Sequence, residues 1–173
     1  MFLLIFSHAT EEIIIPVFKL LRIILENKPL LTEQFISAGI LKALLDGLET
    51  VKSDIRKEAA GLLVTLASID KKEVGMLIKG NIIQRLNILA NTDSYDIRRD
   101  CVLTISIIIN NIEDIELIKE LLSIGVIDTI SKMLSGNYLT LLLTVMQALS
   151  KLLKYGKDYF LDAVLLFNNN RTM

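Results

Sequence analysis

Tryptophan is absent from this sequence, and cysteine and histidine each occur once. The single Cys101 excludes an intrachain disulfide and a cysteine-based metal cage, and it fits a reducing, intracellular compartment. Its setting, RRDCVLTI, places it among the inward positions of a helix, where it reads as a buried small hydrophobe rather than a reactive thiol. His8, in SHATEE, has no nucleophile or metal-binding neighbour and reads as a surface turn residue. No glycine-rich phosphate loop, zinc-ligand spacing or Ser-His-Asp arrangement occurs. No catalytic residue, metal or cofactor is therefore expected, and enzymes are not the expected class.

An excess of one charge is also lacking. The 19 basic and 20 acidic residues are interspersed and give a net charge of −1, so no basic face announces a nucleic acid partner. No apolar run reaches the ~18 residues that a membrane span requires; EEIIIPVFKLLRIIL is broken by Pro16, Lys19 and Arg22. The opening MFLLIFSHA is oily but short and has no charged leader, so a signal peptide is not expected; the alternative is a chain that opens already inside a helix.

What is present is an abundance of Leu and Ile. Apolar residues make up 52% of the chain, with two prolines and eight glycines, which suits a helical protein with a continuous core. Two stretches resemble each other: SDIRKEAAGLLVTLAS from Ser53, and SYDIRRDCVLTISIIIN from Ser94, with their Asp-Ile-Arg openings 42 residues apart. Three shorter phrases recur as well, ISAGILKALLDGL, IKGNIIQRLNIL and LSIGVIDTISKML, with Gly39, Gly80 and Gly125 standing 41 and 45 residues apart. Each glycine follows a short helical stretch and precedes an amphipathic one, and a polar break then leads into a long apolar helix. A sharp helix–helix turn needs a residue that tolerates positive φ, which explains the glycines.

This unit of short helix, glycine turn, helix, polar turn and long helix, at a period near 42, is the armadillo pattern. In the first long copy Ile55, Ala59, Leu62, Leu63 and Leu66 form a stripe at helical spacing, and in the second Ile97, Cys101, Thr104, Ile105 and Ile108 do the same. Stacking buries what each helix alone would leave wet. The expected fold is an all-α armadillo-repeat right-handed superhelical solenoid forming one domain over 1–173: a partial unit over 1–28, full repeats over 29–69, 70–111 and 112–156, and a partial last repeat over 157–173. Pro16 is placed near the start of a long helix, where its missing N–H is tolerated. YFLDAVLLFNNNRTM begins a further helix and frays. The acids Glu113, Asp114, Glu116 and Glu120 favour a helix N-terminus and serve capping.

The stretches SHATEEIIIPVFKLLRII, TEQFISAGILKALLDGL, DIRKEAAGLLVTLAS, LIKELLSIGVIDTISKML and LLLTVMQALSKLLKYG resemble the C-terminal armadillo repeats of the importin-α family. IRKEAA is the most specific of these phrases. The resemblance implies a nuclear transport adaptor shared between cytoplasm and nucleus. It binds an extended peptide or protein partner along its concave face: nuclear-localisation signals, an export receptor or nucleoporins. That family's groove presents a Trp and, four residues later, an Asn on successive long helices. The matching Trp positions here hold Lys19, Gly61, Leu103 and Gln147, and the Asn positions hold Ile23, Thr65, Ile107 and Lys151.

Glu58 and Asp100 fall one turn before Gly61 and Leu103. They either line the groove with acid or form a solvated face in which RKE and RRD offset their own charges, the second being preferred. Leu103 and Ile107 fall outside the buried stripe, as a greasy groove for an apolar partner or as residues covered by tighter packing. The alternative function is accordingly a general armadillo scaffold with an apolar concave groove and no reading of import signals. A third class is an assembly role, with self-association through uncapped solenoid ends.

Overall fold

A computed structural model describes residues 10–69, 81–135 and 139–155. Those residues fold as helices joined by short turns, with no strand among them. Four helices of 17 residues set the frame: α1 (Glu11–Asn27), α4 (Ser53–Ile69), α6 (Tyr95–Asn111) and α9 (Leu139–Tyr155). Each is about 25 Å long at ~1.5 Å per residue. Between α1 and α4 lie a 3₁₀ turn (Pro29–Leu31), α2 (Thr32–Ser37) and α3 (Ile40–Glu49). α5 (Ile82–Thr92) precedes α6, while α7 (Ile115–Ser123), α8 (Val126–Ser131) and a 3₁₀ turn (Lys132–Ser135) precede α9.

The long helices pack side by side in chain order, α1 on α4, α4 on α6 and α6 on α9. The two stripes read from the sequence are buried in full: Ile55, Ala59, Leu62, Leu63 and Leu66 on α4, and Ile97, Cys101, Thr104, Ile105 and Ile108 on α6. One core cluster runs without interruption from Phe18, Leu21 and Leu25 of α1 to Val145 and Leu152 of α9. β-Branched residues are mediocre helix formers, yet α6 carries Ile105, Ile108 and Ile109 fully buried. Burial between two flanking long helices outweighs the propensity cost of a few tenths of a kcal/mol per residue.

Turn geometry follows the sequence at two of the three glycines, the third lying outside the described residues. Gly39 and Gly125 both take positive φ, 92° and 78°, immediately before α3 and α8. Before α5 the left-handed residue is Asn81, at φ 58°. Asparagine is a non-glycine type well suited to that region. Pro16 is a correction: α1 already begins at Glu11, so the proline stands inside the helix. There it removes an intrahelical donor to the Glu12 carbonyl. Asp114 caps α7 as expected, accepting the Glu116 N–H at 2.9 Å. Expectations concerning His8, Gly80 and the segment from Tyr159 lie outside the described residues.

Helix C-termini leave carbonyls without intrahelical donors, and donors from neighbouring helices supply several of them. Arg85 Nε donates to the Leu48 carbonyl at 3.0 Å and Asn87 Nδ2 to the Ile124 carbonyl at 2.9 Å. Arg56 donates to the Thr50 carbonyl at 3.0 Å while its Nε and Nη2 grip Asp93 at 2.6 and 3.1 Å. These bonds fix the register of one repeat on the next, where apolar packing alone has no directionality.

Candidate functional site: the long-helix face

The sides of α1, α4 and α6 turned away from the core form a common face, with a shallow depression of about 350 Å³ at its centre. Arg22, Ile23 and Glu26 of α1 line it with Gly61, Val64 and Thr65 of α4 and Arg99 and Asp100 of α6. Gly61 is buried at its base, and the Arg22 guanidinium covers it, with Nη1 2.8 Å from the position a Cβ would take. On the α6 side of Gly61, Asp100 Oδ2 lies 3.8 Å from that same position.

Salt bridges run across this face. Glu58 lies 3.6 Å from Lys19 Nζ and 3.9 Å from Arg22 Nη1. Asp100 receives Arg99 at 2.8 Å, and the same guanidinium stands 3.8 Å from Asp96. Lys57 donates to Asp96 at 2.8 Å, a bond that holds the Asp96 carboxyl below the usual carboxylate range. The two signs differ in depth. Glu58 and Asp100 side chains are each 14% exposed, against 53% for Lys19, 39% for Arg22 and 33% for Arg99.

Of the positions named from the sequence, Ile23, Gly61, Thr65 and Asp100 come together in the depression. Lys19 and Glu58 meet as an ion pair between α1 and α4. The Thr65 hydroxyl sits 3.5 Å from both Glu26 Oε1 and the Gly61 carbonyl oxygen. Leu103 and Ile107 are half-buried and pack against the core. Among the described residues, the exposed large hydrophobic side chains on the long helices are Ile13, Leu20 and Ile23 of α1, Tyr95 of α6, and Leu143, Met146, Leu153 and Tyr155 of α9. Gln147 is exposed on α9. Lys151 folds back on α6, donating to the Asn110 carbonyl at 3.0 Å and to the Ile112 carbonyl.

Sequence reasoning missed Arg22 and Arg99. A glycine in the middle of a helix is a local weakness, and one on an exposed face invites a long side chain from the neighbouring repeat to cover it. That signal pointed at Arg22. Arg99 had none, because RRD reads equally as a solvated run.

Among the described residues, no group of three or more His, Cys, Asp or Glu is placed to hold a metal ion, and no helix is long and apolar enough to cross a membrane. Burial pushes the Cys101 thiol up, well out of its reactive range.

No protein-family profile and no curated protein matches the sequence. Solved structures do match. A designed armadillo repeat protein superposes with a TM-score of 0.76 at 21% identity, over 87% of this chain and 63% of that one. Another, in complex with the peptide (KR)4, superposes at 0.75 with 20% identity, over 90% of this chain and 69% of that one. A third, computationally designed for modular peptide recognition, gives 0.75 at 19% identity, over 87% of this chain and 62% of that one. The chain is thus an all-α armadillo-repeat solenoid, and it spans between 62% and 69% of the length of these designed proteins.

Proposed function

We propose that this chain is a protein-interaction scaffold that holds an extended peptide segment across the long-helix face. The observation that carries this reading is the alignment of α1, α4 and α6 around an open depression floored by Gly61. An extended strand crossing parallel helices meets a new helix every repeat, and each crossing can supply one side-chain contact and one backbone hydrogen bond. The designed armadillo protein in complex with (KR)4 supports a peptide as the class of partner. Hydrogen exchange across the chain, with and without a peptide selected from a random library, tests the reading. Protection concentrated on α4 and α6 is the expected result; protection confined to α3, α5 and α8 overturns it.

A second reading, the importin-α-like adaptor moving between cytoplasm and nucleus, draws on the sequence resemblance and on the basic peptide of that same complex. It requires Glu58 and Asp100 to receive the signal's lysines, and both carboxylates already have cationic neighbours. Fluorescence anisotropy of a labelled bipartite lysine-rich signal, at two salt concentrations, separates the readings. Salt-sensitive binding that is lost on Glu58→Lys with Asp100→Lys supports the adaptor, and no binding removes signal reading from this segment.

A further inference from the structure

Depth of charge on the long-helix face decides what kind of peptide fits it. The ionic groups facing the depression and its margin are Lys19, Arg22 and Arg99 on one side of the balance, and Glu26, Glu58 and Asp100 on the other. Net charge is therefore no guide. Asp100, which lines the depression, and Glu58, at its margin, are the less exposed carboxylates, and their cationic neighbours are more exposed than they are. Glu26, at the edge, lies within 3.5 Å of the Thr65 hydroxyl.

Arg22 is the sparingly used member. Its one close anionic neighbour among the described residues is Glu58 at 3.9 Å, a Coulombic contact rather than a hydrogen bond. A guanidinium carries five N–H donors in a planar fork that matches a carboxylate. Because Gly61 has no side chain, Nη1 of this fork can sit over α4, and the Arg22 side chain lines the depression while remaining 39% exposed. Arg99 bounds the opposite side, held by Asp100 through Nε at 2.9 Å and Nη2 at 2.8 Å. Each half-buried acid thus already has a guanidinium neighbour, and a lysine-bearing peptide would have to displace it to reach that acid.

We infer that the depression over Gly61 is a carboxylate subsite, with Arg22 and Arg99 receiving an Asp or Glu side chain of an acidic extended peptide. The inference rests on the reading of this face as a peptide surface and adds the chemistry of the peptide. Ile23 and Val64, which also line the depression, would bear the aliphatic stem of a glutamate.

The test is fluorescence anisotropy of three labelled peptides of equal length against the whole chain: alternating Glu-Ser, the same peptide with Gln for Glu, and (KR)4. The Glu-Ser peptide is expected to bind in a salt-sensitive way, and its Gln counterpart about tenfold or more weaker, the loss typical of a charge-assisted hydrogen bond. Arg22→Ala and Arg99→Ala should each cause a comparable loss. Arg22→Lys, which keeps the charge and removes the fork, should fall between, and Lys42→Ala on α3 should change nothing. Circular dichroism melts check that the variants fold. Amidating the peptide's C-terminus should leave affinity unchanged, since side-chain carboxylates are the ligand. Preference for (KR)4 would overturn the inference while leaving a peptide surface in place. Failure of all three peptides would overturn the inference and the surface reading together.

Discussion

The guanidinium of Arg22, from α1, occupies the space that a side chain at position 61 of α4 would fill: its Nη1 lies 2.8 Å from the ideal Cβ position of Gly61. A mid-helix glycine costs ~0.5–1 kcal/mol relative to alanine, and the closest atom that a new methyl would meet is the tip of a flexible side chain. Gly61→Ala is therefore expected to raise the unfolding free energy by about 0.5–1 kcal/mol in urea titration. A loss of stability instead would mean that Arg22 is fixed over α4 by more than its neighbour Glu58.

The ion pair between Arg56 and Asp93 joins the start of α4 to the turn before α6, with two hydrogen bonds and side chains only 16% and 8% exposed. Hydrogen bonding from Arg56 is the main cause that holds the Asp93 carboxyl below the usual carboxylate range, with the Ser94 N–H adding to it. A depressed folded-state value means that stability from this pair is fully present above ~4, the unfolded-state value of an aspartate. It is lost as pH falls from there through the folded-state value. Asp93→Asn is expected to cost about 1.5–3 kcal/mol at neutral pH and to flatten the acid limb of a stability-versus-pH curve. An unchanged acid limb would assign that limb to other carboxylates.

At the turns, glycine and asparagine meet the same requirement with different reserves. Gly125 takes φ 78° with open space within 4 Å of where a methyl would stand, so alanine there meets only backbone strain. Gly125→Ala should cost about 1–2 kcal/mol, the left-handed penalty for an L-residue. Asn81, at φ 58°, already bears part of that strain, and Asn81→Gly should be neutral or slightly stabilising. Equal effects at the two sites in thermal melts would show that strain is not the controlling quantity.

The fold was legible because its signals are periodic. Residues such as Ile55, Leu62 and Leu66 repeat at a helical interval, and Gly39 and Gly125 mark the turns at an interval of whole repeats. Asn81 carried no such cue, because an asparagine in a left-handed turn has no periodic signal of its own. Half of the face was legible too: Ile23, Gly61, Thr65 and Asp100 were reached by counting along each helix. Depth was not. Whether Leu103 and Ile107 face a groove or lean on the core depends on how closely α4 and α9 approach α6, and no spacing within one helix encodes that distance. The same holds for Glu58 and Asp100, whose partners include residues one repeat away for Glu58 and the adjacent Arg99 for Asp100.

Lys151 gives the clearest contrast between position and use. Counting places it at a groove position of α9, yet its Nζ donates to the carbonyls of Asn110 and Ile112 at the end of α6. A cation at a helix C-terminus is favoured both by the orphan carbonyls and by the negative end of the helix dipole. Lys151→Met keeps the aliphatic stem and removes only the donor, so the carbonyls lose their partner without a cavity being formed. The expected cost is about 1–2 kcal/mol in urea titration, with faster amide exchange in the last turn of α6. Peptide affinity at the Gly61 depression, which Lys151 does not line, should be unchanged. If stability holds and affinity falls, the lysine serves a partner on α9, and the peptide path extends past α6 to the fourth long helix.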